Sequence, residues 1–129
     1  KANIVPNQSL YEQGYQQGLG YYCRPETIFN EALLGRGDFR VCPIEKRESL
    51  RMYYQVAHDY YVADAEFDRS QRDLNYYLKE LERNDLSVKD RDDYKKRLYE
   101  LRINSGEVQS DYQDAVRNLE RFKAERGLR

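Results

Sequence analysis

Two stretches of the chain carry the same apolar rhythm. Tyr53, Val56, Tyr60, Ala63, Phe67, Ser70, Leu74, Tyr77 and Leu81 alternate spacings of three and four, and so do Tyr94, Leu98, Leu101, Ser105, Val108, Tyr112, Ala115, Leu119 and Phe122. A three-four alternation keeps one stripe on one face of a slightly underwound helix, which is the pattern of a coiled-coil seam. Between the stripes lies a polar break at residues 84–87. If the chain reverses there, each residue of the first stripe meets one of the second at numbers that add to 175. Ala63 then faces Tyr112, Leu74 faces Leu101 and Ser70 faces Ser105, so large meets small and polar meets polar. The pattern predicts an antiparallel helical hairpin, with helices over residues 44–83 and 88–125 and a turn near 84–88. Each arm is roughly 55 Å long. Ser87 with Asp90 reads as the cap of the second arm.

Upstream the pattern shortens. Residues 1–8 are polar, contain Pro6 and look frayed. Ser9 with Glu12 reads as a capping box ahead of a helix from Leu10 to about Leu19. Gly14 and Gly18 lie four apart on one face of it. Interior glycines cost about 1 kcal/mol each relative to alanine, so a close-packed neighbour is expected to compensate. Pro25 opens a second helix through Leu34, ended by Gly35. Residues 35–41 read as a turn or short extended piece that delivers Cys42, and Pro43 suits the start of the first long arm. The flanks of the seam are charged near the tip, with Glu80 placed to meet Arg97, and become apolar toward the base. The expected fold is therefore all-α: a small head over residues 1–43 packed on the base of a long hairpin over 44–129, together one structural domain.

Charge and composition narrow the function more than they name it. Twenty-two basic residues nearly cancel 23 acidic ones, and both signs alternate along the arms. This disfavours a nucleic-acid groove or an anionic membrane surface. At a mean hydropathy of -1.03 no stretch is long and apolar enough to span a bilayer. The first residue is Lys1, not Met, and the expectation is an exported chain whose leader has been removed, with room for a lipid anchor. Two cysteines and one histidine do not complete a zinc site of recognisable spacing, so Cys23 and Cys42 read as a disulfide, with buried free thiols as the alternative. A disulfide implies an oxidising compartment.

The run Tyr11-x-x-Gly14-x-x-x-Gly18-Leu19, then Tyr22-Cys23, Gly35 and Cys42-Pro43, resembles an uncharacterised family of small bacterial envelope proteins, many with lipoprotein signals, classed only as a domain of unknown function. The resemblance covers about residues 10–61. It implies a periplasmic protein of the Gram-negative envelope and no activity. Phe39 stands where that pattern leads one to expect Tyr. Arg24-Pro25-Glu26-Thr27 replaces a segment usually richer in Asn and Gly.

Candidate chemistry is sparse. His58 has no nucleophile at a recognisable spacing and reads as a solvated or capping side chain. Asp90, Asp92 and Asp93 favour a helix N-terminus without forming a calcium loop. Arg36-Gly37-Asp38 spells the tripeptide that integrin ligands present, in the loop between the cysteines, although three-residue motifs recur by chance. Tyrosine is the one unusual signal, with 13 residues. Tyr54 and Tyr61 lie seven apart beside the base, either as a partner surface or as rings packed under the head. Tyr54, Tyr61, Tyr76, Arg36 and Asp38 are the candidate interaction residues. No catalytic residue, cofactor or metal is expected. The leading expectation is a non-enzymatic periplasmic interaction or scaffold protein, such as an accessory of an envelope-spanning secretion system, the type VI kind included. Alternatives are a peptidoglycan-binding module and an enzyme inhibitor acting through the loop between the cysteines. A protein partner in the envelope is expected, with the oligomeric state open.

Overall fold

The computed structural model of the protein describes residues 8–129. Of the stretch expected to be frayed only Gln8 is described, and it is helical; Pro6 lies outside the described residues. The elements are α1 (Gln8–Tyr22), α2 (Pro25–Leu33), a 3-10 turn at Phe39–Val41, α3 (Ile44–Leu81) and α4 (Val88–Arg126). The expected all-α architecture is present, and α3 and α4 pack closely as a hairpin. Two compact units divide the chain, Lys1–His58 and Asp59–Arg129, with the boundary inside α3.

The first unit is built around the disulfide. Arg24 is extended, and Pro25, with its φ already set, opens α2. After α2 the chain reverses at Gly35, whose φ of 77° suits a residue without Cβ. There the Arg36 N–H donates to the Glu31 carbonyl at 2.9 Å and the Gly35 N–H to the Ala32 carbonyl at 3.0 Å. Of the two forms expected for residues 35–41, a turn or a short extended piece, the chain takes the turn and ends it in the 3-10 helix. Asp38 accepts a hydrogen bond from the Arg40 N–H at 2.9 Å and so caps the 3-10 turn. Cys23 and Cys42 are bonded, with Cα atoms 5.8 Å apart. They form a buried cluster with Ile28 and Leu50, against which Leu19, Tyr22, Phe39 and Tyr54 pack. Leu50 and Tyr54 belong to α3, so within this unit the stapled head sits on the first turns of the long helix. Arg47 fixes that junction by donating from Nε to the Cys42 carbonyl at 2.7 Å.

α1 departs from expectation. Ser9 lies inside the helix and not at its cap, and no residue of α1 is fully buried. A Cβ at Gly14 or Gly18 would have nothing within 4 Å. The close-packed neighbour anticipated for this glycine pair is therefore absent among the described residues, and only the last turn of α1, through Leu19 and Tyr22, joins the core.

The second unit shows the mirror register directly. The Tyr112 ring stacks on Phe67 at 4.7 Å and tilts against Tyr60 at 6.2 Å. Those two residues bracket Ala63, whose small side chain leaves the ring its place. Nearer the tip Tyr77 meets Tyr94 edge-on at 5.4 Å. Ala63, Ser70, Leu98 and Leu101 are buried along the same seam. The turn is held by arginines. Arg91 donates from Nη1 to the Leu81 carbonyl at 2.8 Å and from Nη2 to the Arg83 carbonyl at 2.7 Å, satisfying groups that the end of α3 leaves unpaired. The Asp90 N–H donates to the Ser87 hydroxyl at 3.0 Å, the expected cap. One expectation fails here: Glu80 pairs with Arg83 at 2.6 Å and Arg97 with Glu100 at 3.3 Å, instead of with each other. A partner one turn away on the same helix is reached with less ordering of long side chains than one across the seam.

Candidate functional site

The loop between the cysteines is closed by one tyrosine. The Tyr22 hydroxyl accepts from the Asp38 N–H at 2.8 Å. Gly37, at φ 97°, passes so close that a Cβ there would stand 3.1 Å from that hydroxyl and 3.1 Å from the Glu31 Cβ. Tyr22 thus ties the end of α1 to the far side of the loop, in parallel with the disulfide one residue on. Tyr22→Phe leaves the Asp38 N–H without its partner and is expected to cost about 1 to 2 kcal/mol in chemical denaturation. An unchanged midpoint would show that water replaces the hydroxyl at no cost.

Arg36 is exposed and Asp38 half-buried, and both are engaged within the chain. Arg36 Nε donates to Glu31 at 3.1 Å. The Asp38 carboxylate also accepts from Arg40 Nε at 2.9 Å and Nη2 at 3.3 Å, and this guanidinium holds the carboxyl below the usual range. The two charges that the Arg36-Gly37-Asp38 tripeptide would offer an adhesion receptor are each already paired, although such exposed pairs are weak.

The candidate tyrosines separate by environment. Tyr54 packs against the stapled cluster, with Phe39 at 5.4 Å and His58 stacked at 5.2 Å. His58 therefore has a packing role beside Tyr54. Tyr54→Ala is expected to lower stability by about 2 kcal/mol, as befits a half-buried ring. Tyr61 and Tyr76 are open to solvent, Tyr76 at 54% exposure with its ring edge-on to Tyr77 at 5.0 Å. Two further side chains, Tyr99 and Ile103, stand one turn apart on α4 at 68% and 63% exposure. They fall outside the heptad stripe, and the period of the stripe was the signal that hid them: large residues off the seam of a two-helix hairpin face outward.

Among the described residues no group of three or more His, Cys, Asp or Glu side chains is placed to hold a metal ion. No described helix is long and apolar enough to cross a membrane. Residues 1–59 match the family described as Protein of unknown function (DUF2799). The match covers the segment that carries the Tyr, Gly and Cys pattern and links it to an uncharacterised domain family. No curated protein and no solved structure matches the chain.

Proposed function

We propose that this chain is a non-enzymatic interaction protein of the bacterial periplasm, in which a disulfide-stapled head accompanies a helical hairpin that docks a protein partner of the envelope. The observation that carries the reading is the set of large amphipathic rings that the hairpin leaves in solvent, Tyr61, Tyr76 and Tyr99. Tyrosine covers area at low entropy cost and keeps a polar tip, which is why it is enriched at protein interfaces. The Cys23–Cys42 bond supports an oxidising compartment, and hence export. An accessory role in an envelope-spanning assembly such as a secretion system is the form we favour.

The test is capture from crosslinked envelope extracts by the intact protein and by Tyr61→Ala/Tyr76→Ala. Neither ring lies in the seam, so the double variant is expected to keep its melting temperature and lose the captured protein. A variant that captures as well as the parent defeats the reading. The same rings suit stacking on sugars, so sedimentation with purified sacculi that depends on Tyr61 and Tyr76 would favour a glycan-binding module instead.

A further inference from the structure

Midway along the hairpin the seam narrows to Ser70 and Ser105, and beside this small layer a cleft of about 360 Å³ opens. Its walls come from both helices by one rule. Glu66 and Asp73 each precede a seam residue of α3, and Asn104, Glu107 and Asp111 each precede one of α4, so the antiparallel register brings them to the same side. Glu66 of α3 and Asp111 of α4 both line the cleft, from facing helices. Like charges so placed repel, and a partner of opposite sign would be expected. Arg69 and Arg97 stand in the same cleft, but Arg97 pairs with Glu100, and Glu66, Asp73, Glu107 and Asp111 take part in none of the hydrogen bonds or ion pairs among the described residues.

A second observation points into the same cleft. Ser70 is 7% exposed, lines the cleft, and its Oγ has no hydrogen-bond partner. A buried hydroxyl without a partner is uncommon, because desolvation is then uncompensated. Four carboxylates that outnumber the two arginines of the cleft, and one orphaned buried hydroxyl, border a volume within the range of small-ligand sites.

We infer that this cleft receives a basic side chain, lysine or arginine, from the partner protein. The inference rests on the proposed role of the hairpin as a docking element and names the chemistry of what docks. Leu101 and Val108 offer apolar wall for the stem of such a side chain. A lysine ammonium has three donors, one each for Glu66, Asp111 and the Ser70 hydroxyl. The carboxylates are not grouped to hold a metal ion. A free polyamine fits poorly, because Arg69 and Arg97 also line the cleft and would repel its further amines, whereas a single cationic head needs only the Glu66–Asp111 end.

The experiment titrates the intact, isotope-labelled protein at low salt with an end-blocked pentapeptide that carries one lysine between neutral residues and, separately, with spermidine. Saturable shifts of the Ser70, Asn104 and Val108 amides are expected with the peptide. Glu66→Gln/Asp111→Asn should weaken binding about tenfold or more, while Glu48→Gln/Glu120→Gln, an equal loss of charge elsewhere, should not. Ser70→Ala should raise the melting temperature, because it removes the orphaned hydroxyl, and yet weaken the peptide. A merely structural serine would not show that opposition. Absence of saturable shifts, equal losses in the two charge variants, or spermidine binding as tightly as the peptide would each overturn the inference. If the peptide fails while a Tyr61- and Tyr76-dependent partner is still captured, the cleft assignment falls and the interaction role stands. Specific peptide binding with no captured partner does the reverse.

Discussion

Leu101→Asp is expected to destabilise the protein by more than about 4 kcal/mol, at the severe end for a single substitution. Leu101 lies on the seam of α4 at 6% exposure. Its mirror partner in the register is Leu74, so an aspartate there would be a charge facing a hydrocarbon wall. Losing the apolar contact costs part of that sum, and burying an unpaired carboxylate the rest. Urea denaturation is the direct measurement, with Ile103→Asp as the control two residues along the same helix. Ile103 is 63% exposed, and its replacement should stay within about 0.5 kcal/mol of the parent. Equal effects at the two positions would mean that the stripe is not the buried seam.

The second large effect is expected from the disulfide. The Cys23–Cys42 bond spans 19 residues of sequence, and closing a loop of that order stabilises by about 3 kcal/mol in the chain-entropy picture. The head depends on it because its apolar core is thin: Ile28, Phe29, Ala32 and Leu50 with the two cysteines themselves, edged by half-buried rings. Cys23→Ser/Cys42→Ser should therefore lower stability by about 3 kcal/mol, and hydrogen exchange should accelerate first in Pro25–Leu33. Amides in the middle of α4 should stay protected. Protection of α2 that survives dithiothreitol would show that the apolar cluster suffices without the staple.

Much of this architecture follows from the sequence alone, because its strongest signals are periodic and local. The three-four alternation from Tyr53 to Leu81 and from Tyr94 to Phe122 determines both long helices and their register, since helical geometry converts sequence spacing into a shared face. Ser87 and Pro25 mark helix starts, and Gly35 a helix end, for the equally local reason that backbone groups and φ angles at helix termini accept few residue types. Cysteine count leaves Cys23 and Cys42 as the one pair the chain can form, and the fold that brings their Cα atoms to 5.8 Å decides that they bond and are not free thiols. Tertiary structure decided what local signals do not encode. Whether Tyr54 faces a partner or the head depends on where Phe39 and His58 stand, and these are brought to it by a chain reversal and a helix turn. The fate of Gly14 and Gly18 depends on whether another element approaches them, and none of the described elements does. Glu80 and Arg97 are matched in register, but the final ion pairs depend on rotamers that compete over one turn. The cleft beside Ser70 is likewise invisible in one dimension. Its carboxylates are spread over more than forty positions, and only the fold-back of one helix on the other brings Glu66 and Asp111 to one cleft with a hydroxyl that has no partner of its own.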